Sequence, residues 1–233
     1  MRERIDAAIY VRAVPVLFRN LGICAAPLLA AIIGVFLTWA NGPLFDQVGG
    51  ALDFITGIIS ALVQGFAFGV AVIFADDAWR HGRGNLNAAW EQGRRRAGDI
   101  LIASLGFFFI VYVARLIGNF IPIPFFGEAL GAAAVWAFIY TIPASAIGGI
   151  PGGAALNTSL QTARRYPFAT SLLTIVALVV YFGLTAYAIG ALTLSLPFWP
   201  LMATQIILTS LAIGYIATVV ARQYSDFAFR PYW

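Results

Sequence analysis

Residues 76–99 read Asp76-Asp77-Ala78-Trp79-Arg80-His81-Gly82-Arg83-Gly84-Asn85-Leu86-Asn87-Ala88-Ala89-Trp90-Glu91-Gln92-Gly93-Arg94-Arg95-Arg96-Ala97-Gly98-Asp99. This is the most polar stretch of the chain, and it separates two long apolar runs. Five of the fourteen basic residues lie in it, at Arg80, Arg83, Arg94, Arg95 and Arg96. Basic connectors between apolar spans stay on the cytoplasmic side of a membrane. The stretch therefore reads as a cytoplasmic connector that orients the spans on either side of it.

The composition agrees with that reading. Of 233 residues, 61% are hydrophobic and 10% charged, with a mean hydropathy of +0.87. An ordinary soluble domain carries roughly 25% charged residues, so a water-soluble fold is excluded. Spans of about 20 apolar residues suffice to cross a bilayer, and residues 1–233 read as a single membrane domain. The net charge is +4, and every basic residue is arginine. Arginine-only usage fits either a GC-rich genome or phosphate recognition, the latter pointing to lipid head groups. There is no nucleic-acid-binding motif. Cys24 is the only cysteine and His81 the only histidine, which rules out an intrachain disulfide, a cysteine metal cluster or a haem held by paired histidines within the chain. No cofactor is expected. Arg2, Arg4, Arg12 and Arg19 precede an apolar run longer than a secretory signal core, so that run reads as a retained first span.

From the N-terminus, residues 1–20 mix charges with Ile5, Ala8, Ile9 and Val16 at helical spacing, the pattern of a helix lying in the membrane interface. Span 1 is expected at 21–40, followed by a turn at Asn41-Gly42-Pro43. Span 2, at 51–75, carries Gly57, Ala61, Gly65 and Gly69 every four residues, a ridge over which a neighbouring backbone can approach closely. Asp76 and Asp77 are expected to end it. A second interfacial helix follows from Asn85, with Leu86, Ala89, Trp90, Gly93 and Ala97 on one face. Span 3 is placed at 100–118, and Ile121-Pro122-Ile123-Pro124 is a rigid connector. Span 4 is placed at 127–147 and opens with Gly127 and Gly131. A glycine-rich turn at 148–153 leads to a third short helix at 154–165, with Leu156, Leu160 and Ala163 on one face. Span 5 is expected at 168–190 and span 6 at 201–221, with Ser210, Gly214 and Thr218 in packing register. Thirteen arginines fall on the side of the termini and Arg115 alone on the other. The predicted fold is all-α: six transmembrane helices as three hairpins, each preceded by an amphipathic helix on the cytoplasmic face, with both termini cytoplasmic.

Each polar segment recurs as interfacial helix, span, outer turn, span. Ile142-Pro143-Ala144-Ser145-Ala146-Ile147, then Gly152-Gly153-Ala154-Ala155-Leu156, Ser159 and Arg164-Arg165, with the parallel Ala88-Ala89-Trp90 and Arg94-Arg95-Arg96, give the chain a family likeness. Over most of residues 70–190 it resembles bacterial six-span proteins of the YciC-like family and the membrane domain attached to some glycerophosphodiester phosphodiesterases. That resemblance implies a fold and a bacterial inner membrane. It implies no activity.

Candidate chemistry is sparse. Asp76, Asp77 and His81 read as a solvated helix end or, if they converge, as metal ligands. The 148–153 glycines lack the Lys-Ser or Lys-Thr of a phosphate-binding loop. Ionisable groups at membrane depth are costly and often functional; those here are Asp53, Arg115 and Glu128, towards the outer side. An Arg115 pair with Glu128 or Asp53 reads either as structural charge neutralisation or as a gate. Gln64 and Gln205 lie mid-span and can bond across helices. Arg94, Arg95, Arg96, Arg164 and Arg165 are candidate lipid head-group contacts. The expected function is a non-enzymatic membrane protein, an accessory or scaffold subunit or an envelope-lipid organiser. Its expected partners are membrane lipids and another membrane protein or a second copy. The alternative is a small transporter or lipid-handling permease using Asp53, Gln64, Arg115 and Glu128.

Overall fold

The computed structural model describes residues 6–48, 50–187, 190 and 197–229, with only the backbone of 38–48, 50–54, 186, 187 and 198. Among these residues all regular structure is helical. The elements are α1 (Ala8–Arg19), a 3-10 turn (Leu21–Cys24), α2 (Ala25–Val48), α3 (Gly50–His81), α4 (Leu86–Arg95) and α5 (Ala97–Asn119), then α6 (Phe126–Phe138), α7 (Thr141–Ala146), α8 (Gly152–Arg165) and α9 (Pro167–Phe182). A π-helical turn (Gly183–Tyr187) continues α9, and α10 (Phe198–Phe229) completes the described chain. Among the described residues five stretches are long and apolar enough to cross a membrane: Ile55–His81, Ala97–Asn119, Phe126–Ala146, Pro167–Thr185 and Trp199–Phe229. A sixth arises if α1 and the helix after it, bent by 90° to each other, form one broken span. Long apolar helices satisfy their own backbone hydrogen bonds, as a membrane protein requires.

Several boundaries differ from the sequence reading. Asn41, Gly42 and Pro43 lie inside α2, which runs on to Val48. Proline deletes one intrahelical hydrogen bond, a defect that long apolar helices tolerate. α3 begins at Gly50, and residue 49 lies outside the described residues. Asp76 and Asp77 do not end the second long helix. Each finds a partner one turn further on, Asp76 with Arg80 at 2.8 Å and Asp77 with His81 at 2.7 Å, and such pairs at a spacing of four support helix. α3 stops at His81, and the chain turns at Gly82, whose φ of +78° is a left-handed conformation. The Asn85 side chain then accepts from the Ala88 N–H and caps α4. Gly152 and Gly153, expected in a turn, open α8. The 201–221 span lies within a longer helix, because α10 carries Arg222 and Asp226 as a further pair four residues apart, at 3.2 Å.

The stretch expected as one span at 127–147 is broken between α6 and α7. Pro143 has no N–H to offer the Ile139 carbonyl, so the helix cannot run straight through. Ser159 of α8 repairs the break. Its hydroxyl donates to the Ala137 carbonyl at 3.1 Å and accepts from the Tyr140 N–H at 3.1 Å. Arg96 closes the other end of α7, its guanidinium donating to the Ala146 carbonyl at 2.9 Å. α7 is thereby buried along its whole length, Thr141 to Ala146.

Small residues set the closest approach of the long helices. A Cβ on Gly69 would lie 2.8 Å from Ile100 Cγ2, and one on Gly65 would collide with Ser104, so α3 and α5 pack nearly backbone to backbone. Gly214 of α10 lies against Cys24 and Leu17, where a Cβ would come within 2.7 Å of the Cys24 sulfur. Ser210 and Thr218 are buried, each hydroxyl bonded to the carbonyl four residues back. Ala61 is half-buried. Gly57 departs from its expected packing role: no described atom lies within 4 Å of a Cβ placed there. It sits about two turns before Gly65 and is exposed.

Candidate functional site

The polar side chains gather at one end of the bundle, where α3 and α10 finish and α5 and α9 begin. Trp79 donates to the Thr218 carbonyl at 2.8 Å and Ser225 to the Asp76 carboxylate at 2.6 Å, so the last turns of α3 are held against the C-terminal half of α10 at this end. Asn20, at the bend after α1, bridges to the loop between α3 and α4. It accepts from the Gly84 N–H at 3.1 Å and donates to the Gly82 carbonyl at 3.3 Å. Asp99 at the start of α5 accepts from the Gly152 N–H at the start of α8 (3.3 Å), and Gln223 donates to the Ala169 carbonyl (3.1 Å). Tyr140 fills the centre behind this layer, its hydroxyl 3.3 Å from that of Thr170 and its ring against Tyr224 and Phe227. On α1, burial and then the neighbouring Tyr215 push the Tyr10 phenol up to about 12.

Asp76 and Asp77 do not converge with His81 as a ligand set. Asp76 turns to Ser225 and Arg80, while Asp77 holds His81 and accepts from the Asn85 N–H at 3.0 Å. Among the described residues no three His, Cys, Asp or Glu side chains group as metal ligands. A cavity of about 580 Å³ lies beside this corner, lined by Arg19, His81, Gly82 and Arg83.

The five candidate head-group arginines divide. Arg94 and Arg95 in the last turn of α4, and Arg164 and Arg165 in the last turn of α8, are exposed. Positive charge there also suits the helix dipole. Arg95 reaches Glu91 at 3.4 Å, and Arg165 lies over the Tyr166 ring. Arg96 differs from them in being half-buried, with one guanidinium nitrogen donating to the Ala146 carbonyl. The short helices stay seated through small residues: Ala89 and Gly93 in α4, and Ala155, Ser159 and Ala163 in α8, are buried. Leu156 and Leu160, expected on one face of α8 with Ala163, are half-buried, with Leu156 against Gly106 of α5.

The possible transport residues are not brought together. Arg115 and Glu128 pair across the α5–α6 hairpin at 3.7 Å, both more than half exposed. The aliphatic part of Arg115 covers Gly131. The Asp53 side chain lies outside the described residues. Gln64 is elsewhere, donating to Ser60 of its own helix at 3.1 Å. An exposed ion pair contributes at most about 1 kcal/mol. Glu128→Gln, which keeps the shape and removes the charge, is therefore expected to leave the thermal unfolding midpoint in detergent nearly unchanged. A drop of many degrees would make the pair a structural clamp.

Gln64 and Gln205 do share a site, although they do not bond to each other. With Ser60 and Thr209 they line a cavity of about 760 Å³ between α2, α3, α9 and α10, walled by Ile32, Val35, Tyr181, Met202 and Ile206 among others. Small-molecule sites typically enclose roughly 300–1,000 Å³. Ser60 and Thr209 were not singled out in the sequence, yet each lies four residues from its glutamine. Two polar pairs at helical spacing inside apolar runs were the available signal. No family model matches the chain, and no similar protein was found among curated proteins or solved structures.

Proposed function

We propose that the chain is a non-enzymatic, lipid-organising membrane protein of a bacterial inner membrane, with both termini cytoplasmic. In this reading six spans form three hairpins, with α1, α4 and α8 as interfacial helices leading into them. The likeness to the YciC-like and phosphodiesterase-associated membrane domains is part of the proposal. So is assembly with a membrane-protein partner or a second copy. The observation that carries the proposal is the pair of exposed arginine clusters, Arg94/Arg95 and Arg164/Arg165, at the last turns of two short helices on the polar end. Basic side chains beside apolar helices attract anionic phospholipids, by about 1 kcal/mol each near a membrane surface. The hydrogen-bonded layer behind them and the filled centre around Tyr140 support holding lipid over passing solute.

The test is native mass spectrometry of protein extracted gently from its own membrane. Wild type is expected to retain phosphatidylglycerol or another anionic phospholipid. The fourfold variant Arg94→Gln, Arg95→Gln, Arg164→Gln, Arg165→Gln is expected to lose most of those adducts. Equal retention by the variant would sink the head-group reading. A stoichiometric co-purifying protein would identify the assembly in which the chain is a subunit.

A further inference from the structure

The cavity lined by Gln64, Gln205 and Thr209 contains polar groups that the protein leaves unpaired. Gln64 uses its amide N–H on Ser60, and its side-chain oxygen has no partner among the described residues. Gln205 and Thr209 have no hydrogen-bond partner for their side chains among the described residues. Gln64 lies three helical turns before Asp76, roughly 18 Å along α3 at about 1.5 Å per residue. That depth falls inside a hydrocarbon layer about 30 Å thick, where lipid tails satisfy no hydrogen bond. An amide or hydroxyl left without a partner in such surroundings is unfavourable, and a ligand that pairs with it removes that cost.

We propose that this cavity binds the head of an uncharged, hydroxyl-bearing lipid, of the diacylglycerol type. Three features select that chemistry. First, among the described residues no charged side chain lines the cavity, so a phosphate head would enter without a counter-charge from them. Second, the unpaired groups include both donors and acceptors: the Gln64 carbonyl accepts only, whereas Gln205 and Thr209 do both. A hydroxyl matches this set, while a quinone, which only accepts, would leave the Gln64 carbonyl unsatisfied. Third, the mouth is apolar and open sideways. Ile32 is 46% exposed and Trp199 73%, so acyl chains can leave across them into the surrounding lipid while the head stays inside. The site rests on the membrane-spanning reading but not on the arginine clusters, which lie at the other end of α3.

The experiment is native mass spectrometry of the full chain in mild detergent, titrated with 1,2-dioleoylglycerol and separately with decylubiquinone. Wild type is expected to bind one dioleoylglycerol, with decylubiquinone clearly weaker. The double variant Gln205→Leu, Thr209→Val is expected to weaken dioleoylglycerol binding about tenfold, the effect of losing two hydrogen bonds of about 0.5–1.5 kcal/mol each. Thr209→Val alone, nearly isosteric, is expected to weaken it severalfold and covers the case in which the double variant misfolds. Equal dioleoylglycerol binding by wild type and Thr209→Val, or no binding by wild type, overturns the proposal. Tighter binding of decylubiquinone also overturns it. Phosphatidylglycerol adducts in the same spectra report the arginine face, so failure of one site is distinguishable from failure of the other.

Discussion

Gly65→Leu is expected to insert into the membrane but fail to reach a compact state, eluting as aggregate in detergent, whereas Gly57→Leu elutes and melts like wild type. The contrast comes from one helix. A Cβ at Gly65 would coincide with the Ser104 side chain, while at Gly57 the nearest 4 Å hold no described atom. Ser104 cannot swing aside, being fully buried with its hydroxyl bonded to the Ile100 carbonyl at 2.6 Å. One turn on, Gly69 presses against Ile100 itself, so α3 and α5 would have to part along at least two turns. Overpacking a core costs typically about 1–3 kcal/mol where side chains can shift, and more where backbones must separate. The loss at Gly65 is therefore expected at or above the top of that range. A Gly65→Leu protein that folds and melts normally would show that the α3–α5 contact contributes little to the bundle.

How much of this was legible in the sequence depends on whether the signal was local. The separation of arginines from apolar runs depends only on solvation, and it locates the apolar centres of the long helices but not their ends: α2, α3 and α10 run six to eight residues past the expected spans. The glycine spacing of α3 names Gly65 and Gly69 as close contacts, but spacing cannot say where a neighbouring helix diverges, so Gly57 looks the same as Gly65 until α5 is in view. Pro143 announces a break. What keeps that break closed is Ser159, on another helix. Arg96 is indistinguishable in the sequence from Arg94 and Arg95, yet it alone reaches back to α7, because it occupies the corner between α4 and α5. Gln64 and Gln205 stand out as polar groups at membrane depth. Their sharing one cavity follows from the packing of α3 against α10, which brings together residues that are far apart in the sequence.

The second large effect is expected at Ser159. Its hydroxyl serves two backbone groups at once, the Ala137 carbonyl and the Tyr140 N–H, both beside the break that Pro143 imposes. Ser159→Ala removes one oxygen and leaves the buried Tyr140 N–H unsatisfied, at about 1–3 kcal/mol, together with the loss of the part-buried bond to the Ala137 carbonyl. Water does not reach the Tyr140 N–H, since Ser159, Tyr140 and all of α7 are buried. The consequence should spread along the chain. Tyr140 positions the aromatic group with Tyr224 and Phe227, and α7 supplies the carbonyl that holds Arg96. Loosening the break therefore frees the ends of α10 and the α4–α5 corner together. Ser159→Ala is expected to lower the thermal midpoint clearly, by less than Gly65→Leu and far more than Glu128→Gln. Amide exchange at Tyr140 should rise in the same protein. If the midpoint falls while Tyr140 stays protected, the loss arises from α8 packing and the hydroxyl bridge is not what holds the break.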